Sequence, residues 1–355
     1  MTLETLGWSD FFSQFFFSEH ADKGLMAARV SRNSKQIYHV LCEEGSFVAR
    51  VSGNFRHRAQ LSSDYPAVGD WVAIRLKPDG LEAEIRELLP RQTVFSRQAV
   101  SASGTESKSS EQVIAANVDM AFLVASLDGG RGFSLRRLER YLTLTRNSGA
   151  QPVVVLNKAD LADDAESFAG KARGIAAGAP VHTVSALEKD GLAPLRQYVR
   201  EAMTLVLLGP SGSGKSTIIN SIAGADLMRT SEVRETDARG RHTTTWSELT
   251  VIESGGILID TPGLRDVQLW SGDTAVDETF AELRELARKC RFRDCKHSGE
   301  PGCAVAAAIE SGEVEEKRLV SFKKQKEEIA AAMRRRDRGE KLKHVQPPRP
   351  RRKKK

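Results

Sequence analysis

The chain has 355 residues, 40% hydrophobic and 28% charged, with a formal net charge of +6. That balance excludes a disordered chain, and the length suits two or three domains. No apolar run approaches the ~18–20 residues of a bilayer span, so no membrane association is expected.

The N-terminal stretch WSDFFSQFFF (Trp8–Phe17) is apolar but short, with no basic leader and no small-residue cleavage site. An amphipathic helix packed on a neighbouring domain is expected there, not a signal peptide. Residues 24–97 then carry five runs rich in β-branched residues: LMAARVS, QIYHVLC, SFVARVS, DWVAIRL and LEAEIREL. Gly, Asp, Asn and Pro punctuate them, which fits a small all-β barrel. An oligonucleotide-binding (OB) fold leads, with an SH3-like barrel as the alternative. Arg50, Arg56, His57 and Arg58 bracket the third strand and its loop as a local basic patch. Cys42 stands alone in an alternating stretch and reads as buried and inert. The first unit is therefore residues 1–97. QAVSASGTESKSSEQ (98–112) lacks periodicity and reads as a flexible linker.

From 113 to 269 strands and helices alternate. MAFLVASL, PVVVLNK, VHTVSA and TLVLLGP read as buried strands. SLRRLERYLTLTRNSG, DAESFAGKARGIAAG, GLAPLRQYVREA and KSTIINSIAG read as helices, and TVIESGGILIDTPG as a closing hairpin. This is the pattern of an α/β domain with a mostly parallel sheet, whose ligands bind beyond the carboxyl ends of the strands.

Gly209-Pro210-Ser211-Gly212-Ser213-Gly214-Lys215-Ser216, followed by Thr217, matches G-x4-G-K-[ST] between a predicted strand and a predicted helix. Its glycines let backbone N–H groups turn inward around phosphate oxygens at a helix N-terminus. Lys215 is expected to reach the β- and γ-phosphates, and Ser216 to bind Mg²⁺. Asn157-Lys158-Ala159-Asp160 follows an apolar strand. The Asp160 carboxylate can accept from both N1–H and the 2-amino group of guanine, a pairing adenine lacks. Asn157 can bridge to the phosphate loop, and the stem of Lys158 can cover the base. Ser185-Ala186 suits a third loop, with the Ala186 N–H meeting guanine O6. Asp260, ending ILID, would hold Mg²⁺, and the Gly263 N–H of the following TPG would meet the γ-phosphate. GRHTTTW (240–246) offers Thr243, Thr244 or Thr245 as the γ-phosphate sensor, and Thr244 is carried as the candidate. The base reader thus precedes the phosphate loop, the reverse of the ordinary order. All these loops leave one end of the sheet, so the order implies a circularly permuted GTPase.

The segment 270–336 reads as helical around Cys290-x4-Cys295-x-His297-x5-Cys303. Three thiolates and one imidazole at this spacing favour one structural, tetrahedral Zn²⁺ and a reducing compartment. The permutation joins this unit directly to DTPG. GTP binding is therefore expected to order the connection and reposition the zinc domain. Residues 334–355 hold 12 Lys/Arg against two acids, and removing that +10 from +6 leaves the rest of the chain at −4. Residues 337–355 read as a basic disordered tail suited to a polyanion.

Across nearly its whole length the sequence resembles the RsgA/YjeQ family of ribosome small-subunit-dependent GTPases. The barrel, IAANVD (114–119), SLRRLERYL (134–142), NKAD, SA, GPSGSGKST, GRHTTT, DTPGL and the Cys-rich segment carry the resemblance. Ser213 and Thr217 depart from it, standing where Val and Ser are common. The resemblance implies a cytoplasmic bacterial factor acting late in 30S assembly, with GTP/GDP, the 30S subunit and its 16S rRNA as partners. A monomer is expected. Many GTPases place a Gln directly after DxxG to orient the attacking water, but here that residue is Leu264. His242 is the best candidate to hold the water, as the resemblance also implies, the other reading being a surface histidine. Intrinsic hydrolysis is expected to be slow and stimulated by 30S subunits. Two other classes compete: a nucleotide kinase, against which NKAD and DTPG argue, and an RNA-binding protein with a vestigial site, against which Lys215, Ser216 and Asp260 argue.

Overall fold

The computed structural model describes residues 1–20, 23–34, 36–99, 110–129, 132–224, 247–260, 269 and 273–345. Helix α1 (Asp10–Glu19) starts after an extended Ser9. Its Phe12 and Phe16 lie one turn apart and meet Trp8, which stands edge-on to Trp71 at 4.7 Å between ring centroids. Such aromatic pairs add about 0.5–1.5 kcal/mol each beyond the area they bury. The helix is thereby sealed onto the neighbouring barrel, as its apolar stripe predicts.

The five expected strands are β1 (Met26–Ser34), β2 (Ile37–Cys42), β3 (Gly45–Val51), β4 (Trp71–Leu76) and β5 (Glu82–Leu88). Their pairing runs β1-β2-β3-β5-β4 and returns from β4 to β1, with β3 and β5 parallel. This closed circuit, with α2 (Gly53–Arg58) between β3 and β4, is OB-like rather than SH3-like. Val30, Val40, Ala49, Ile74 and Ile85 fill its interior. Cys42 is buried there as expected, and burial pushes its thiol pKa up. Arg56, His57 and Arg58 sit on α2 rather than in a loop, and with Arg50 they are exposed.

Strands β6 (Val94–Ala99) and β7 (Ser110–Ala116) pair antiparallel. The expected linker, 98–112, is therefore ladder at both ends. Buried Phe95 faces Ala115, and backbone hydrogen bonds propagate the ladder outward from that apolar end into polar sequence.

The α/β domain comprises β8 (Met120–Ser126), α3 (Leu135–Ser148), β9 (Gln151–Asn157), α4 (Ala165–Ala176), β10 (Val181–Thr183) and α5 (Ala193–Arg196). It continues with β11 (Thr204–Leu208), α6 (Lys215–Ala223), β12 (Glu248–Val251) and β13 (Ile257–Asp260). The order is β10-β9-β8-β11-β13-β12, parallel except for β12. Helix α5 is shorter than its sequence suggests. Beyond it, Tyr198 and Val199 donate to residues three back, Leu195 and Arg196, so the chain winds in tighter turns.

Arg29 of β1 locks barrel to sheet. Its fully buried guanidinium donates to the carbonyls of Leu6, Gly69 and Asn117 and to Thr204 Oγ1. Burial lowers its pKa to about 10, with Asp119 and Asp70 opposing, so it stays charged at neutral pH.

The C-terminal unit has α7 (Asp273–Thr279), α8 (Ala281–Ala287), α9 (Ala304–Glu310) and the long α10 (Glu316–Val345). Helix α10 runs through 337–345, where the sequence reads as tail, and residues 346–355 lie outside the described residues. Ala, Arg, Glu, Lys and Leu are strong helix formers, and no proline intervenes before Pro347. Buried Arg318 of α10 ties the unit to α3 through Glu139 at 2.8 Å, and to α8 through Glu282 at 2.6 Å. Among the described residues no helix is long and apolar enough to cross a membrane.

Candidate nucleotide site and Cys3His cluster

The carboxyl ends of five parallel strands bring the site together. Asn157 ends β9, Gly209 follows β11, Asp260 ends β13, and Ser185 and Asp128 follow β10 and β8. Val153–Leu156 are buried, so β9 is a continuous apolar run that delivers Asn157 at 2% exposure. Asn157 Nδ2 donates to the Ser213 carbonyl at 3.0 Å, and its Oδ1 accepts from the Ala186 N–H at 3.0 Å. One side chain thus joins all three expected loops. The Ala186 N–H, which the sequence suggests for guanine O6, is engaged with Asn157 instead. Ser221 of α6 also donates to the Ala186 carbonyl, at 2.8 Å.

The phosphate loop depends on its glycines at two points. Gly214 has φ +85°, and a Cβ there would stand 2.1 Å from Asn157 Nδ2. A Cβ on Gly209 would stand 2.6 Å from the Val124 carbonyl of β8. Ser213 is fully buried and donates to the Pro210 carbonyl at 3.0 Å, so the departure from Val at this position is accommodated inside the loop. Lys215 opens α6, which is anchored by buried Ile218, Ile219 and Ile222. Its Nζ donates to the carbonyls of Gly209 at 2.9 Å and Pro210 at 2.7 Å. Ser216 and Thr217 are half-buried beside it.

On the base side, Lys158 turns the chain with φ +62°, leaving Asp160 exposed just beyond. Lys158 Nζ pairs with Asp128 Oδ2 at 2.7 Å. Sequence reasoning missed Asp128. Its signal was SLDGG, a polar turn directly after the buried strand MAFLVA. Ser185 is buried and exchanges backbone hydrogen bonds with Asp190. Asp260 is exposed at the end of β13. His242, Thr243, Thr244, Thr245, Gly263 and Leu264 lie outside the described residues.

The ligand atoms of Cys290, Cys295, His297 and Cys303 all lie within 4.8 Å of one another. Cys290 follows α8, and Cys303 caps α9, its Sγ accepting from the Ala306 N–H at 3.3 Å. His297 takes φ +54° in the intervening loop. Lys323 of α10 donates to the His297 carbonyl at 3.0 Å. Glu300 accepts from the N–H groups of Ser298 and Lys296, which holds its carboxyl down at about 2. Zinc–sulfur bonds of about 2.3 Å put tetrahedral sulfurs about 3.8 Å apart. The Cys290 and Cys303 sulfurs are 3.9 Å apart, and His297 Nδ1 lies 3.6 and 3.4 Å from them. Burial lowers the His297 pKa, which favours the neutral imidazole a metal needs. The donor set therefore fits a tetrahedral, thiophilic cation.

Comparison with known proteins follows the same lines. The RsgA GTPase family model matches residues 88–270. The small ribosomal subunit biogenesis GTPase RsgA of Opitutus terrae is 45% identical over 346 residues, 95% of this chain and 92% of its own. RsgA 1 of Listeria innocua is 40% identical over 331 residues, 93% and 90% of the two chains. The crystal structure of YjeQ from Thermotoga maritima is similar at TM-score 0.61 and 25% identity, covering 86% of this chain and 99% of that one. YloQ, described as a circularly permuted GTPase, matches at TM-score 0.56 and 25% identity, covering 93% and 99%.

Proposed function

The chain belongs to the RsgA GTPase family, and on that premise we propose that it acts on the 30S ribosomal subunit. There it assists late maturation and hydrolyses GTP to GDP and phosphate when the subunit engages it. The observation that carries this reading is Asn157, whose side chain ties the guanine-side loops to the phosphate loop. A Gly-rich loop alone suits any P-loop enzyme, whereas a loop held by the asparagine of NKAD suits a guanine nucleotide. Asp160 selects guanine by accepting its two edge donors. Lys215, whose Nζ donates to the loop carbonyls, would turn to the β- and γ-phosphates. Ser216 and Asp260 would hold Mg²⁺, which neutralises charge on the phosphate oxygens. Thr244 and Gly263 belong to the γ-phosphate side on sequence grounds. His242 is the proposed host for the attacking water, because Leu264 offers it no hydrogen bond.

The Cys3His cluster would take one structural Zn²⁺, and four protein ligands leave no position open for chemistry. The working units are the barrel (1–97), the GTPase domain (113–269) and the zinc domain (270–336). Exposed Arg50, Arg56, His57 and Arg58 on the barrel, and the basic C-terminal run, offer cationic surfaces to 16S rRNA. The protein works as a cytoplasmic monomer in this reading. GTP hydrolysis measured alone, with 30S and with 50S subunits tests it. Stimulation by 30S alone is expected, and equal rates in all three would overturn it.

A further inference from the structure

Helix α10 presents a buried stripe of Arg318, Ser321, Gln325, Ile329 and Ala332 to the rest of the protein. Beside that stripe, half-buried Glu328 makes contacts in two directions. It forms a two-point ion pair with Arg140 of α3, at 2.6 and 2.8 Å. Its Oε1 also accepts from the backbone N–H of Leu269 at 3.0 Å. Leu269 is nine residues past Asp260, and its side chain is 1% exposed within the shared core of the GTPase and C-terminal helices. Helix α3, which carries Arg140, begins shortly after the loop in which Asp128 pairs with Lys158 of NKAD. One carboxylate therefore holds both Leu269, nine residues past the Asp260 strand, and helix α3. Two residues earlier, Lys326 pairs with Asp277 at 2.7 Å and Asp273 at 3.3 Å, tying α10 to α7 without touching Leu269.

We infer that Glu328 is a positioning residue for GTP hydrolysis. By fixing Leu269 against Arg140, it anchors the chain nine residues past Asp260 to α3 and α10. Glu328 lies outside the loops that carry the nucleotide motifs and contacts Arg140 and Leu269, so its effect should fall on turnover and not on binding. Misplacing reacting groups by about 1 Å from a remote position costs roughly 10²-fold in rate. The inference rests on the GTPase reading above, and wild-type turnover tests that reading separately.

The test uses the full-length, zinc-loaded protein with 30S subunits. Glu328→Ala should lower kcat by about ten- to a hundredfold. KM for GTP and affinity for GDP should stay within about twofold of wild type, because ground-state binding is untouched. Glu328→Gln keeps an acceptor for the Leu269 N–H and should recover most of the rate. Lys326→Gln, which frees only the tie to α7, should turn over like wild type. Zinc content and melting temperature are read alongside. Wild-type kcat in Glu328→Ala would overturn the inference. So would an equal loss in Lys326→Gln, or a loss that follows zinc content or melting temperature and that Glu328→Gln does not recover, since each marks a merely structural contact.

Discussion

Replacing Asn157 with alanine tests the join at the centre of the site. The side chain is 2% exposed and satisfies two buried groups, the Ser213 carbonyl and the Ala186 N–H, each at 3.0 Å. Alanine leaves both without a partner in a space too tight to rearrange freely, because Gly214 already lies against the amide. A buried polar group left bare costs about 1–3 kcal/mol, so the pair costs about 2–6 kcal/mol. A domain is stable by about 5–15 kcal/mol, so the variant should fold while its loops lose their common alignment. Guanine nucleotide must then restore that alignment on binding. A loss of affinity of at least tenfold, about 1.4 kcal/mol, is expected. Asn157→Asp keeps the acceptor for Ala186 but sets a carboxylate oxygen against the Ser213 carbonyl, so it should weaken binding too. Urea unfolding of the free protein gives the stability change, and titration with a fluorescent GDP gives the affinity change. Affinity within twofold of wild type together with an unchanged unfolding midpoint would refute the coupling of base and phosphate loops.

Three further substitutions probe the other parts. Asp160→Asn removes the carboxylate that accepts two guanine donors, with charge-assisted bonds worth about 1.5–3 kcal/mol each. GTP affinity should fall at least about tenfold while xanthosine triphosphate binding improves, and competition binding would show otherwise if the two affinities kept their ratio. Purified protein should carry one zinc per chain, and Cys295→Ser should lose it together with C-terminal helicity; full zinc by elemental analysis in the variant would contradict the ligand set. Arg318→Met leaves Glu139, 3% exposed, as a buried charge without its partner. Removing one member of such a pair costs about 3–5 kcal/mol, seen as a lower unfolding midpoint, and an unchanged midpoint would refute the role of this ion pair in holding the two domains together.

Much of the fold was legible because burial writes itself into local sequence. The barrel strands alternate, as in β2, and the buried parallel strand β9 reads as an unbroken apolar run. The Gly-rich loop before α6 was legible because its backbone conformation and the close approach of Asn157 demand glycine. Contacts distant in sequence were not. Arg29 meets Thr204 across 175 residues, and Arg140 meets Glu328 across 188. No local pattern marks an arginine whose partners are distant carbonyls and a distant hydroxyl, or a glutamate on a charged helix that turns inward. Polar composition reads as loose chain at 98–99, 110–112 and 337–345, where the described residues are ladder or helix. A ladder nucleated at Phe95 and Ala115 extends into Ser and Gln, and a run of good helix formers prolongs α10. Both extensions rest on backbone hydrogen bonds, which polar side chains do not forbid.

The permuted order has a consequence for how the flanking domains reach the nucleotide. Because the guanine-side strands come first, the hairpin β12–β13 closes the GTPase domain and becomes its border on both sides. Strand β1 of the barrel places Arg32 opposite Glu248 of β12, and Glu248 stands opposite Asp260. The same strand holds the start of β11, through Arg29 and Thr204. The barrel therefore grips the sheet at the base of the phosphate-loop strand and again in the row that contains Asp260. From the other side, the C-terminal unit holds the chain at Leu269, nine residues beyond Asp260. The barrel thus bears on the row that contains Asp260, and the C-terminal unit bears on Leu269. In the ordinary order the chain would continue from this strand into the base-reading half of the same domain. Here it continues toward a separate unit, which meets it at Leu269.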